Sequence, residues 1–157
     1  KEEALGHYRE MLRLNPNDNQ GVRYPLLNHL LELGRDREAR ELIDRYDGDT
    51  SAYWFYGKAL LKFRREGSNP KSDSRLKKAF EYNLFVPIYL FGAGKMPKRI
   101  PSTVARGDES EAIEYVASAM RTWYETPGAI KWMVDVLIKH NPRLVPPQVA
   151  GGSGKPS

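Results

Sequence analysis

Three histidines, two pairs of adjacent acids and a glycine-rich tail are the residues of this chain that could do chemistry. His7, His29 and His140 are far apart in the chain. None of them has a second histidine at the spacing of a zinc motif. We therefore expect no metal site, and interpret all three as surface or interfacial side chains.

The acid pairs Glu2/Glu3 and Asp108/Glu109 could supply general acid and base groups. Both pairs stand where helices are predicted to begin, and the helix dipole favours negative charge at that end. The chain has no cysteine, which excludes disulfides, thiolate nucleophiles and cysteine-ligated metals. We expect a protein without catalytic activity.

The tail GGSGKPS resembles a phosphate-binding loop in composition. Such a loop needs an earlier glycine, a Ser or Thr after the lysine and a preceding strand. Val149 and Pro156 occupy those two positions, and no strand pattern comes before them. We therefore expect no cofactor. Composition predicts a disordered tail over residues 141–157.

The elements that would position any site are helices. Apolar residues recur at three- and four-residue steps, as in Leu5, Tyr8 and Leu12, and strand periodicity is absent. Proline, glycine and cap residues separate the periodic runs. The predicted fold is all-α with about seven helices, in one domain over residues 1–140, and an irregular loop near 92–107. The helices are predicted at about 2–14, 24–33, 36–46, 51–65, 74–83, 108–125 and from Pro127 onward.

Two segments of the chain repeat one another. Gly34-Arg-Asp-Arg-Glu-Ala39 returns as Gly107-Asp-Glu-Ser-Glu-Ala112. The offset (107 minus 34) is about twice the period of a 34-residue helical repeat. Two further runs fit the two helices of that repeat, Ala4-x3-Tyr8 and Tyr53-x2-Tyr56-Gly57. Small residues such as Gly57 let helices approach closely, and aromatics fill the gaps between stacked pairs.

The chain thus resembles a tetratricopeptide array, which implies an α-solenoid of antiparallel helix pairs whose first helix has been cut away. In this interpretation NPNDN, residues 15–19, is the joint between two repeats. The sequence departs from the repeat at Arg23, where an aromatic is usual, and at Leu84, where a proline is usual. The irregular loop also replaces one expected helix.

A narrower resemblance covers about half of the chain. The runs AFEYNLFVPIYL and GDESEAIEY, together with Trp123, are similar to the helical-repeat region of the suppressor of tumorigenicity seven family and its bacterial relatives. That family implies a helical scaffold without catalytic residues. No run approaches the ~18 apolar residues of a membrane span, and we expect a cytoplasmic protein.

The repeat register predicts a groove that presents side chains to a protein or acidic peptide partner. An aromatic in such a groove would supply apolar contact, and cations would steer the partner. The predicted partner-binding residues are Tyr24, Asn28, Trp54, Lys58, Lys62 and Arg65. The function predicted from them is a non-catalytic protein-protein interaction scaffold.

The charge distribution leaves a second function open. The net charge is +5, but counting residues 51–107 gives twelve Lys and Arg against three Asp and Glu. Such a region can bind nucleic acid or another anionic surface. The cations of this alternative are Lys58, Lys62, Arg64, Arg65, Lys71, Arg75, Lys77, Lys78, Lys95, Lys98, Arg99 and Arg106.

Overall fold

The computed structural model describes residues 1–141 and residue 143, and this part of the chain is all-α, as the sequence predicts. It contains eight helices and no strand. The helices are α1 (Glu2–Leu14), α2 (Arg23–Glu32), α3 (Asp36–Arg45), α4 (Ala52–Glu66), α5 (Pro70–Tyr82), α6 (Phe85–Leu90), α7 (Glu109–Glu125) and α8 (Ala129–His140). Apart from Asn141 and Arg143, the predicted disordered tail lies outside the described residues.

Helices α1 to α5 pack in chain order, each against the next. Local sequence fixes their ends. The carboxylate of Asp18 accepts hydrogen bonds from the backbone N–H of Val22 (2.7 Å) and of Arg23 (2.9 Å), so it caps α2. Gly34 follows the end of α2 with a φ of +71°, a conformation that glycine adopts without steric cost. The segment NPNDN therefore connects two helices. That it joins two repeats stays a prediction.

Helix α5 begins four residues earlier than the sequence analysis predicts. The side chain of Asn69 accepts from the backbone N–H of Lys71 and of Ser72, and the Ser72 hydroxyl accepts from the N–H of Asn69. Pro70 then occupies the first helical position, where its missing N–H is harmless. The prediction of a loop here was wrong because Asn-Pro is a helix start as well as a helix stop.

The short apolar run around Pro87 is also helical. It forms α6, which is absent from the predicted helices and raises their number from about seven to eight. Asn83 begins it by accepting from the backbone N–H of Phe85 at 3.1 Å. Residues 92–107 form turns and irregular backbone between α6 and α7, as predicted. Helix α8 begins at Ala129, two residues after the predicted position, because Gly128 has a left-handed φ of +78°.

Helix α7 lies across α2 and α4, besides packing against its chain neighbours α6 and α8. Asn28 donates to the hydroxyl of Ser118 at 2.8 Å, and the rings of Tyr53 and Tyr115 meet edge to face at 5.2 Å. In an open array each unit contacts its immediate neighbours. The contact between α7 and α2 departs from that expectation, because it joins parts of the chain that are 90 residues apart.

Aromatic side chains form the centre of the core. Trp54, Tyr56, Tyr115 and Trp123 are each at most 2 % exposed. Their polar atoms have partners, because the Tyr56 hydroxyl donates to the Asn83 carbonyl at 2.6 Å and the Trp123 indole donates to the Tyr115 hydroxyl at 2.9 Å. Most aromatic side chains of α4 therefore belong to the core. None of the helices in the described residues has the length and apolar run that a bilayer crossing requires.

Arg64 on α4 forms hydrogen bonds to α2, to α3 and to the residue that follows α7. Its guanidinium donates to the Leu31 carbonyl at 3.0 Å, to the Asp36 carboxylate at 2.8 Å and to the Thr126 hydroxyl through two nitrogens. The side chain is 17 % exposed. Arg64 belongs to the predicted nucleic-acid set, but its donors are engaged inside the protein, so it is not available to a phosphate.

We expect Arg64→Ala to lower the free energy of unfolding by about 2–4 kcal/mol, because it leaves the Asp36 carboxylate without its ion-pair partner and removes the hydrogen bonds to the Leu31 carbonyl and the Thr126 hydroxyl. Urea denaturation followed by circular dichroism measures this loss. The adjacent Arg65 is exposed, and Arg65→Ala is expected to change stability by less than about 0.5 kcal/mol. Equal losses in the two variants would contradict the assigned role of Arg64.

Candidate functional site

A cleft between α3, α4 and α5 brings together six cationic side chains. Its volume is about 490 Å³. Six cations, two carboxylates and three apolar side chains line it. We call it the basic cleft, and its residues are Arg40, Lys58, Lys62, Arg65, Arg75, Lys78, Asp44, Asp47, Ile43, Phe55 and Leu61.

Helical spacing places the cleft residues of α4 on one stripe. Phe55, Lys58, Lys62 and Arg65 follow one another at steps of three and four residues, so they lie on the same face of the helix. Helices α3 and α5 both pack against α4, and they supply the walls of the cleft. The floor is therefore partly apolar, at Phe55 and Leu61, and the rim is cationic.

Most cations of the basic cleft are free of partners in the described part of the chain. Lys62 forms an i,i+4 ion pair with Glu66 at 2.9 Å. Its hydrogen bond to that carboxylate is the main reason that the pKa of Glu66 is lowered. Within residues 1–141 and 143, the other five cations of the cleft form no ion pair with a carboxylate. Six cations against two acids leave a local excess of four positive charges, which favours an anionic ligand.

A second groove shows that helix packing alone does not impose this charge. It lies between α1, α2 and α3, two helices earlier in the same arrangement, and has a volume of about 330 Å³. Its charged side chains balance, with Arg9 and Arg45 against Glu38 and Glu41, and Arg9 donates to Glu38. We call it the neutral groove. Each groove is lined by three consecutive helices, so the charge of the basic cleft belongs to its own residues.

The structure brings three of the six predicted site residues together. Lys58, Lys62 and Arg65 all line the basic cleft. Their grouping follows from α4 alone, as the sequence analysis expects.

The other three predicted site residues lie elsewhere. Trp54 is fully buried and its indole donates to the Ile43 carbonyl at 3.3 Å, so it has no surface to offer a partner. Asn28 is buried beneath α7, and Tyr24 donates to Asp49 at 2.7 Å. The predicted groove on α2 and α4 differs from the structure because α7 covers that face.

Arg40, Phe55, Arg75 and Lys78 are cleft residues that the sequence analysis did not assign to a peptide site. Arg75 and Lys78 belong only to the nucleic-acid alternative of the sequence analysis, and Phe55 belongs to neither predicted site. The spacing of Phe55 from Lys58 and Lys62 was the available signal. No pattern in the sequence indicated that Arg40 of α3 would line the cleft, because its position depends on how α3 packs against α4.

Buried polar groups form a second cluster, around Glu111 at the start of α7. Glu111 is 3 % exposed. Its Oε1 accepts from the backbone N–H of Ala52 and of Gly107, each at 3.3 Å, and its Oε2 accepts from the Tyr82 hydroxyl at 2.9 Å. The pattern Asp108-x-x-Glu111 predicts a capping box, and the structure forms half of it. Asp108 caps α7, whereas Glu111 bonds to other parts of the fold. Through these hydrogen bonds Glu111 joins the start of α4, the end of α5 and the loop before α7.

Burial around Glu111 also shifts the ionisation of tyrosines. Desolvation raises the pKa of Tyr53 to about 12, and it raises the pKa of Tyr56, Tyr82 and Tyr115 as well. Among the described residues no group of three His, Asp or Glu side chains could hold a metal ion. The four tyrosine hydroxyls stay protonated at neutral pH. Those of Tyr56 and Tyr82 donate hydrogen bonds, and that of Tyr115 accepts one from the Trp123 indole.

The chain matches no protein-family model, no curated protein and no solved structure in the comparisons made with them. The fold and the site of the described residues together define a class: an all-α protein with a strongly basic cleft. Both resemblances drawn from the sequence stay predictions.

Proposed function

We propose that this chain is a non-catalytic interaction module whose basic cleft binds an acidic segment of a protein partner. The observation that carries the proposal is the cleft itself, with six cations, two acids and an apolar floor. Cations on the rim attract the partner and orient it, while the apolar floor contributes contact area. The partly buried Lys58 stands between Phe55 and Lys62 and can serve both purposes.

The packing of α1 to α5 supports the accompanying proposal of tetratricopeptide-like helix pairs. These helices pack in sequence order. Gly57 makes the close approach that the repeat needs from a small residue, because a Cβ there would lie 3.2 Å from a methyl carbon of Leu27. In this proposal α7 closes the face of α2 and α4, and ligands bind the opposite side of α4. The resemblance to the suppressor of tumorigenicity seven family agrees with a scaffold role, and we propose a cytoplasmic location.

The competing function is binding of nucleic acid by the whole basic region. Its cations are spread over several surfaces: Lys95, Lys98 and Arg99 are exposed in the loop over residues 92–107, whereas five of the others line the basic cleft. A phosphate-backbone ligand would use both surfaces, and its affinity would fall steeply with salt as counterions are released. The concentration of charge in one cleft favours the acidic peptide.

We expect the double variant Lys58→Glu/Arg65→Glu to lose at least ~30-fold in affinity for a fluorescent peptide of about ten glutamates, because it reverses two charges of the α4 stripe that lines the cleft. The matched control is Lys95→Glu/Lys98→Glu, which makes the same change in net charge on exposed loop residues. Fluorescence anisotropy at two salt concentrations measures both, and circular dichroism checks that helicity is retained.

The control variant separates the two functions. For a cleft that binds acidic peptide, the loop variant should stay within about twofold of wild type. Equal losses in the cleft and loop variants, or tighter binding of a single-stranded oligonucleotide with a steep salt dependence, would overturn the proposal in favour of nucleic acid.

A further inference from the structure

We infer that the ligand of the basic cleft is a short extended peptide with acids at alternate positions and an apolar residue at one end. This inference rests on the proposed function and adds the shape and pattern of the ligand. It follows from the length of the charged stripe on α4, the volume of the cleft and the order of the side chains along it.

The stripe sets the length of the ligand. From Phe55 to Arg65 the helix advances ten residues, which is about 15 Å at 1.5 Å per residue. An extended chain covers about 3.3 Å per residue, so four to five residues match the stripe. A longer peptide would place its remaining residues outside the contacts that α4 offers.

The width of the ligand distinguishes an extended chain from a helix. A helix is about 10–12 Å wide with its side chains. An extended chain occupies about 4.8 Å by 10 Å in cross-section. The cleft has a volume of about 490 Å³. The extended chain is the thinner of the two, so more of its atoms can lie inside a cleft of this size.

The order of side chains sets the pattern. Along the stripe the apolar Phe55 comes first, Lys58 and Lys62 lie in the middle, and Arg65 is at the far end. Relative to Phe55, the middle pair lies about 5–10 Å along the axis and Arg65 about 15 Å. Alternate side chains of an extended peptide point to one side about 6.6 Å apart. An apolar residue followed by acids two and four positions later therefore meets each of these groups in turn.

The walls of the cleft favour the same ligand. Arg75 and Lys78 on α5 and Arg40 on α3 have no carboxylate partner among the described residues, so acids on the outer side of the peptide are also neutralised. Asp44 and Asp47 lie in the α3 wall and would repel an acid placed beside them. The acids of the ligand should therefore prefer the α4 and α5 sides.

The neutral groove provides an internal comparison. It has the same position relative to its helices, but its residues offer two cations and two acids, and Leu26 and Leu30 stand in its α2 side. An acidic extended peptide has no charge excess to meet there. The inference therefore assigns one binding site for this ligand in the described part of the chain.

The test uses fluorescein-labelled pentapeptides and fluorescence anisotropy. The first peptide carries leucine at its first position and glutamates at its third and fifth, with serines between. The second has the same composition with the two glutamates adjacent, and a third replaces both glutamates by glutamine. We expect the alternating peptide to bind about tenfold more tightly than the adjacent one, and the glutamine peptide to lose at least about thirtyfold. A stapled helical peptide that carries the same acids should bind about tenfold more weakly than the alternating pentapeptide.

Variants locate the peptide in the cleft. Phe55→Ala should weaken the binding of the alternating peptide about tenfold, but it should leave the affinity for a leucine-free version of that peptide unchanged. Because the ring of Phe55 stacks on Tyr82 at 4.7 Å, Phe55→Leu provides a second variant that keeps an apolar side chain, and it should restore most of the affinity. Binding of all acidic peptides alike, with loss in Lys58→Glu/Arg65→Glu, would overturn the extended pattern while the proposed function stands. Tightest binding by the stapled helix would also overturn it. Equal losses in the cleft and loop variants would instead overturn the proposed function.

Discussion

Replacement of Glu111 by alanine is expected to lower the free energy of unfolding by roughly 3–5 kcal/mol, because it leaves three donors without an acceptor in a buried site. The donors are the backbone N–H groups of Ala52 and Gly107 and the hydroxyl of Tyr82. They come from the start of α4, the end of the loop before α7 and the end of α5. One carboxylate therefore joins three elements that local sequence does not connect. Chemical denaturation followed by circular dichroism measures the loss.

Two further variants distinguish the carboxylate from its position on the helix. Glu111→Gln keeps one oxygen acceptor, and it should lower the free energy of unfolding by about 1–2 kcal/mol. The reason is that an amide nitrogen, which donates, replaces one of the two accepting carboxylate oxygens. Glu125→Ala removes an exposed carboxylate at the other end of α7, where it pairs with Arg121 at 2.7 Å, and should cost less than about 0.5 kcal/mol. A loss in Glu111→Ala no larger than that of Glu125→Ala would contradict the assigned network.

Local features of the fold could be predicted from the sequence because neighbouring residues determine them. Asp18 caps α2 and Asp108 caps α7 through their own carboxylates, and glycine ends the second helix at Gly34. The beginning of α5 was missed because Asn69-Pro70 allows both a stop and a start. In that case the choice depends on the reciprocal bond from Ser72.

The position of α7 could not be predicted in the same way. Its contacts with α2 and α4 join residues far apart in sequence, such as Asn28 and Ser118. Periodicity shows that a helix has an apolar face, but it does not identify which helix covers that face. The predicted open groove therefore included Trp54, which is buried.

The candidate site was predicted in part for a related reason. Lys58, Lys62 and Arg65 share one helix, so their spacing alone places them on one face. The contributions of Arg40 from α3 and of Arg75 and Lys78 from α5 require the packing of three helices. Charge counting located the basic region, but it could not separate Arg64, which is engaged inside the fold, from the free cations beside it.

The second large effect is expected in alkaline solution, where the protein should lose stability from about pH 10 upward. Burial raises the pKa of Tyr53 to about 12. Burial likewise raises the pKa of Tyr56 and Tyr115, and the pKa of Tyr82 is raised by burial together with its hydrogen bond to Glu111. The folded state thus retains protons that the unfolded state releases.

The sign of the effect follows from proton binding in the two states. Below about pH 10 both states hold the tyrosine protons, so the stabilisation is fully present; above it the unfolded chain binds fewer protons, and stability falls as pH rises. One pKa unit corresponds to about 1.4 kcal/mol, so Tyr53 alone should account for about 2–3 kcal/mol between about pH 10 and about pH 12. The other three tyrosines add to this in the same direction.

Parallel titrations of tyrosinate absorbance and of helicity test this expectation. The chain has nine tyrosines, and the four around Glu111 should release their protons only as the helical signal is lost. Tyr53→Phe removes one of the four groups, so the fall in unfolding free energy between about pH 8 and about pH 11 should shrink by about 1 kcal/mol or more. Comparing the two pH values within each variant cancels the loss of packing or hydrogen bonding at neutral pH. Complete tyrosinate formation with helicity intact would show that solvent reaches these hydroxyls in the folded state, and the tyrosine cluster would then not be the reason for any alkaline unfolding.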